Sequence, residues 1–189
     1  MKIEKKIRCS WCEKNELYRN YHDTEWGRPA LNDNYLFELL LLETFQAGLS
    51  WYTILAKREN FRLAFDNFDY LKISKYTSDK IELLLNDSGI VRHKLKINAA
   101  VINAQMFICI QAEYGSFSNY IWQFVHKKPV DTMPQNTADI KATSALSDII
   151  SKDLKSKNFK FVGSTVVYSF LQAVGIINDH VVDCWIRNL

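Results

Sequence analysis

Residues 36–51, LFELLLLETFQAGLSW, decide the reading of this chain. At the helical period Leu36, Leu39, Leu40, Glu43 and Ala47 fall on one face, the i, i+3, i+4, i+7 spacing of a buried stripe. Glu43 therefore points where the leucines point. A carboxylate in an apolar interior is costly unless it is paired or hydrogen-bonded. A structural salt bridge is the plain explanation and a ligand the more specific one. Glu38 falls off the stripe and is expected in solvent. Ala47-Gly48-Leu49 breaks the helix, and Trp51 follows it.

The pattern stays helical on both sides. Residues 16–23 have helical spacing, and Trp26-Gly27-Arg28-Pro29 stops them. Asn32 or Asp33 suits the N-cap of the central helix, where a short polar side chain meets free backbone N–H groups. Ser50 is expected to cap a helix over 51–66, with Ile54, Leu55, Phe61 and Phe65 inward. A short helix is expected over 69–75. Ser78 is expected to cap another over 79–86. A tight turn at Gly89 opens a long helix to about Tyr114, and 117–126 reads as a further one. Residues 127–143 are polar, with Pro129 and Pro134, and read as a surface loop. Helices resume over 144–157. The segment at 159–175, FKFVGSTVVYSFLQAVG, reads as a last buried helix capped by Ser164 or Thr165 and stopped by Gly175. No run of alternating strands appears, so the fold class is all-α.

Composition sets the outer bounds. A chain of 189 residues, 48% hydrophobic and 24% charged, is ordinary for a globular protein and suffices for one domain, of two helical lobes sharing a core. The net charge of +3 permits a polyanion partner without demanding one. The opening MKIEKKIRC has no apolar core of a signal peptide, and no run of about 18 apolar residues suggests a membrane span. Four cysteines without a secretion signal suit a reducing, cytoplasmic setting, where free thiols or a metal are favoured over disulfides. Cys109, in the apolar run MFICI, is expected to be buried.

Three constellations carry chemistry. Trp11, Tyr18, Tyr21 and Trp26 crowd a short polar segment, and Trp51 follows the Glu43 helix. Flat apolar walls with one acceptor suit a planar, amino-bearing or cationic ligand such as a nucleobase. Cys9-x-x-Cys12, His22, His180 and Cys184 supply metal-ligand types. Two tetrahedral sets compete, Cys9 and Cys12 with His180 and Cys184, or Cys9 and His22 with that last pair. Spacing alone does not choose between them. At SGIVRHKLK, residues 88–96, a Gly turn opens a helix, so free N–H groups and a positive helix end face outward as an anion site. Arg92, His93, Lys94 and Lys96 read as its basic surface.

Taken together, these residues resemble the bacterial 3-methyladenine DNA glycosylase I family of the helix-hairpin-helix glycosylase superfamily. The matching stretches are C-x-W at 9–11, YHDTEWG at 21–27, the whole of 36–51, GIVRHKLKI at 89–97, FKFVGSTVVYSFLQAVGIINDH at 159–180, and Cys184. The resemblance implies an enzyme that excises 3-methyladenine from alkylated double-stranded DNA, and a monomer is the default for one that grips duplex by one face. It implies a structural zinc on Cys9, His22, His180 and Cys184, leaving Cys12 out. It makes Glu43 and Tyr21 the hydrogen-bonding partners of the extruded base, Glu43 also the one catalytic candidate. Trp51 becomes the stacking partner, and Trp11, Tyr18 and Trp26 the surrounding wall. Gly89, Ile90, Val91 and Arg92 become the DNA-binding hairpin, within 86–97, and Leu49 a wedge at the vacated stack. Between Ile97 and Val130 the only acid is Glu113, so an aspartate that activates water, as in related glycosylases, is not expected. Nor is a lyase lysine, with Lys94 and Lys96 on the basic surface. A non-catalytic zinc-containing helix-hairpin-helix DNA-binding module and a zinc-stabilised protein-binding scaffold are the alternatives.

Overall fold

In the computed structural model, which describes residues 6–187, the leucine-rich stretch forms α2 (Asp33–Gln46). Every residue of α2 from Leu36 to Phe45 is buried. The stripe expected from the sequence was too narrow, because neighbours cover α2 on all sides. They are α3 (Trp51–Ala56), α7 (Lys94–Tyr114), α8 (Phe117–Trp122) and α10 (Ser164–Ala173). Glu38, expected in solvent, is buried too. Its Oε1 accepts from Arg58 Nε at 2.6 Å and Arg62 Nη2 at 2.8 Å, and Arg58 Nη1 reaches Glu25 at 2.7 Å. The ion pairs make its burial tolerable.

Packed in turn on these neighbours are α1 (Glu16–Thr24) and α4 (Arg58–Ala64) against α3, α5 (Tyr70–Ile73) and α6 (Ser78–Asn86) against α7, and α9 (Ala145–Ser156) against α10. Asn32 and Ser50 cap α2 and α3 as their sequence implies. Asp33, the other cap candidate, instead accepts the free N–H groups of Phe117 and Ser118 at the start of α8, both at 2.9 Å. The helix expected over 51–66 is broken at Lys57, whose φ and ψ of −99° and 2° are not helical, so α3 and α4 can turn around the core. Thr77, not Ser78, caps α6. The expected cap of α10 also fails. Its N-cap is Gly163, and Ser164 Oγ sits 2.8 Å from Ser147 Oγ, stapling α10 to α9.

Two short strands, β1 (Val130–Asp131) and β2 (Ile177–Asn178), pair in parallel where no strand was expected. They pin the start of the 127–143 loop beside the end of α10. Cys109 is exposed, contrary to its apolar neighbourhood, because the buried face of α7 runs through Ala100, Ala104, Phe107 and Ile110. By length and mean hydropathy α7 could cross a bilayer, which a count of unbroken apolar residues does not register. In the fold it is a core helix, with Phe107 stacked on Phe117 at 4.2 Å. One contiguous apolar cluster runs from Cys9 to Ile186.

Candidate active site

Glu43 sits in the last turns of α2, 4% exposed, at a cavity of about 290 Å³. Its Oε2 has no hydrogen-bond partner among the described residues. Burial pushes its pKa up to about 8. The cavity is walled by Trp11, Tyr18, Tyr21, Trp26 and Trp51, so all five expected aromatics converge on the one carboxyl. Trp11 meets Trp26 edge to face at 5.0 Å and Tyr18 at 5.5 Å, while Tyr21 leans on Trp51 at 5.5 Å. Tyr18 Oη accepts the free N–H of Tyr52 in the first turn of α3, which ties α1 to the Trp51 turn. Burial, and then the nearby Glu43 charge, raise the Tyr21 pKa, so its hydroxyl stays a neutral donor. Trp11 Nε1 and Trp51 Nε1 are buried donors that also lack partners among the described residues. Planar walls with an unpaired acceptor and unpaired donors form a surface for a flat, polar ring.

The sequence did not single out Gln46, Thr137, Ile140, Ser169 and Gln172, which complete the lining. Gln46 follows Glu43 by three and shares its face, a signal that was available. Thr137 and Ile140 come from the 127–143 loop, which is therefore a wall of the cavity as well as a surface segment. Gln172 Nε2 donates to the buried Asp179 at 2.6 Å, so its amide orientation is fixed.

Behind the aromatic wall, Cys9, His22, His180 and Cys184 are all buried, with their donor atoms within 4.8 Å of one another. Cys184 Sγ lies 3.5 Å from both His22 Nε2 and His180 Nδ1, and Cys9 Sγ lies 3.8 Å from His180 Nδ1. A tetrahedron with Zn–S about 2.3 Å and Zn–N about 2.0 Å has S···N edges of about 3.5 Å. The far ring nitrogens are engaged as well. His22 Nδ1 is 2.8 Å from Asp23, itself gripped by Arg8, and His180 Nε2 donates to the Trp26 carbonyl at 3.2 Å. Each tautomer thus leaves the inner nitrogen free to ligate. The contact between the thiols splits them, pulling Cys184 toward the thiolate and pushing Cys9 up. Gly27 permits this approach: its φ is +76°, and a Cβ there would meet His180 Nε2 at 2.7 Å. The donor set fits a tetrahedral ion, and Cys12 stands outside it.

The turn between α6 and α7 presents Arg92 to solvent and buries Ile90. Gly89 N–H is already taken by Asp87 Oδ1 at 2.7 Å, so the outward donors of the turn lie beyond it. Lys96 is not surface, as the sequence suggested. It is 5% exposed, and its Nζ donates to the carbonyls of Phe45 and Ala47 at 2.9 and 2.6 Å. Leu49 is exposed, at the turn between Glu43 and Trp51 and outside the cavity lining.

Residues 11–188 match the methyladenine glycosylase family. The chain belongs to this family. Among its relatives, the DNA-3-methyladenine glycosylase 1 of Escherichia coli (strain K12) is 44% identical over 177 residues, 94% of this chain and 95% of that one. The DNA-3-methyladenine glycosylase of Haemophilus influenzae is 40% identical over 94% of this chain and 96% of its own. A structure of the 3-methyladenine DNA glycosylase I of Staphylococcus aureus, solved to explain its recognition of 3-methyladenine, superposes with a TM-score of 0.92. It is 39% identical and covers 95% of this methyladenine glycosylase family member and 96% of its own chain.

Proposed function

We propose that this chain is a DNA-repair hydrolase that cleaves the N-glycosidic bond of 3-methyladenine in alkylated duplex DNA, releasing free base and leaving an abasic site. The observation that carries this reading is the unpaired Glu43 carboxyl inside a nucleobase-sized aromatic cavity. Methylation at N3 makes the base cationic and a good leaving group. In the empty cavity a Glu43 of pKa about 8 is mostly protonated at neutral pH. An entering cation favours the ionised form, so the charge that selects the damaged base appears as that base arrives. Glu43 then accepts from the exocyclic amino group, Tyr21 donates, and Trp51 stacks. Unstacking takes a few kcal/mol, less for a damaged base, which adds selectivity. The C1′–N9 bond breaks with oxocarbenium-like character, its electron pair leaves with the base, and water adds to C1′ and gives up a proton to solvent.

Among the described residues Glu43 is the only acid in the lining, and no lysine lines it. Both facts support a monofunctional hydrolase whose rate comes from selective binding of an already labile nucleoside. We assign the four-residue cluster to a structural zinc that joins the first and last segments. We assign the segment around 86–97 to a helix-hairpin-helix grip on the DNA backbone, with Arg92 outward and Leu49 the wedge. The protein acts as a monomer in the cytoplasm, gripping DNA by one face. A non-catalytic DNA-binding module would use the same hairpin but leaves the cavity and its carboxyl without a role. The test is chromatography of bases released from methylated duplex by the zinc-loaded protein. Prompt release of 3-methyladenine without strand cleavage is expected; DNA binding without release would overturn the assignment.

A further inference from the structure

Lys96 is a buried cation that the proposed chemistry does not use. It stands in the first turn of α7, four residues after Arg92, where the His93 ring also accepts from its backbone N–H. Its ammonium reaches the C-terminal end of α2. A helix end leaves carbonyls without partners and carries partial negative charge, so an ammonium there is doubly favoured. Three consecutive carbonyls are accounted for in this way. Lys96 Nζ takes Phe45 and Ala47, and Leu49 N–H takes Gln46 at 2.6 Å. The acceptors bracket Gln46, which lines the cavity, and they precede Gly48, whose φ is +82°. Leu49 and the cavity residue Trp51 come next. A second lysine makes the reciprocal link. Lys57 Nζ, at the end of α3, donates to the carbonyls of Ser88 and Gly89 in the turn before α7, both at 3.1 Å. The segment from Phe45 to Lys57 and the segment from Ser88 to Lys96 are thus clasped at both ends.

We infer that Lys96 is a positioning residue that locks the turn between Glu43 and Trp51 to the α6–α7 hairpin, so that seating the hairpin on DNA and presenting the turn to the helix stack are one rigid event. The inference rests on the glycosylase reading above. It separates two properties that a generally loosened protein would lose together. Binding of free base needs only Glu43 and the aromatic wall, which the core holds. Excision from duplex also needs the turn to stand in register with the hairpin.

The test compares Lys96→Met, which keeps the stem and removes the donors, with Lys96→Arg, which restores donors. Single-turnover release of 3-methyladenine from methylated duplex should fall about tenfold or more in Lys96→Met, as for loss of two charge-assisted hydrogen bonds. Binding of free 3-methyladenine, read by tryptophan fluorescence, should stay within about threefold, and Lys96→Arg should regain most of the excision rate. Excision by Lys96→Met within about twofold of the unaltered chain overturns the inference. So does a loss of free-base binding in proportion to the loss of excision. Should Lys96→Met fail to fold, Lys57→Met cuts the other half of the clasp and must show the same split between duplex and free base, or the inference is wrong. Failure of the glycosylase reading looks different, because the unaltered chain then releases no base, and that result overturns both.

Discussion

In the proposed function, recognition turns on Glu43. Glu43→Gln keeps the shape and hydrogen-bonding capacity but not the charge. It is expected to fold normally and to weaken both free-base binding and excision by about 1.5–3 kcal/mol, the range for a hydrogen bond to a charged group. Unchanged excision by that variant would remove Glu43 from the site. A second expectation follows from burial. The carboxyl titrates near 8 when folded, against an ordinary value of 4.5. Between those values the folded chain holds a proton that the unfolded chain has lost. Stability from this group is therefore complete below about pH 4.5, falls as pH rises, and is gone above 8. Glu43→Gln removes that slope. Urea denaturation across this range should show the variant gaining on the unaltered protein, by on the order of a few kcal/mol at the alkaline end. Parallel curves would contradict a carboxyl buried without a partner. The inward direction of Glu43 was legible in its spacing among leucines. The burial of Lys96 was not, because a lysine in a basic run looks the same whether it faces water or two carbonyls 49 and 51 residues away.

At the scale of elements, α2 and its two ends organise the site. Helix existence was readable along most of the chain, since periodicity and caps such as Asn32 and Ser50 are local. The break at Lys57, the bare start of α10 and the buried Glu38 were not readable, because tertiary partners decide them. Glu38 illustrates the difference. Replacing it with Ala should leave the buried Arg58 with Glu25 alone and lower stability by about 3 kcal/mol, read as a shifted urea midpoint with an unchanged slope. A near-neutral result would mean that the arginines find water instead. Gly175 ends α10 at φ +71°, where a Cβ would lie 2.4 Å from the Arg28 carbonyl carbon. Gly175→Ala should therefore cost about 2 kcal/mol or more, since neither backbone can yield easily. A thermal midpoint like that of the unaltered chain would show that the two segments can separate.

For the molecule as a whole, the cluster of Cys9, His22, His180 and Cys184 joins segments more than 150 residues apart. A chelator should strip the zinc we assign to it, lower the thermal midpoint by on the order of 10 °C and diminish free-base binding, because Trp11, Tyr18, Tyr21 and Trp26 lie on the tethered segment. A midpoint insensitive to chelation, with no zinc bound per chain by elemental analysis, would refute the assignment. The tether also sets when the protein becomes itself during synthesis. The aromatic wall of residues 11–26 leaves the ribosome long before His180 and Cys184, the residues that fasten it. Domains commonly fold as their chain emerges, but here the base pocket has to wait until Cys184 is out. A polypeptide cut short by a stalled ribosome before His180 would carry Glu43 and the turn after α6 yet lack the fastened wall, so only chains translated past Cys184 gain the power to unmake a nucleoside.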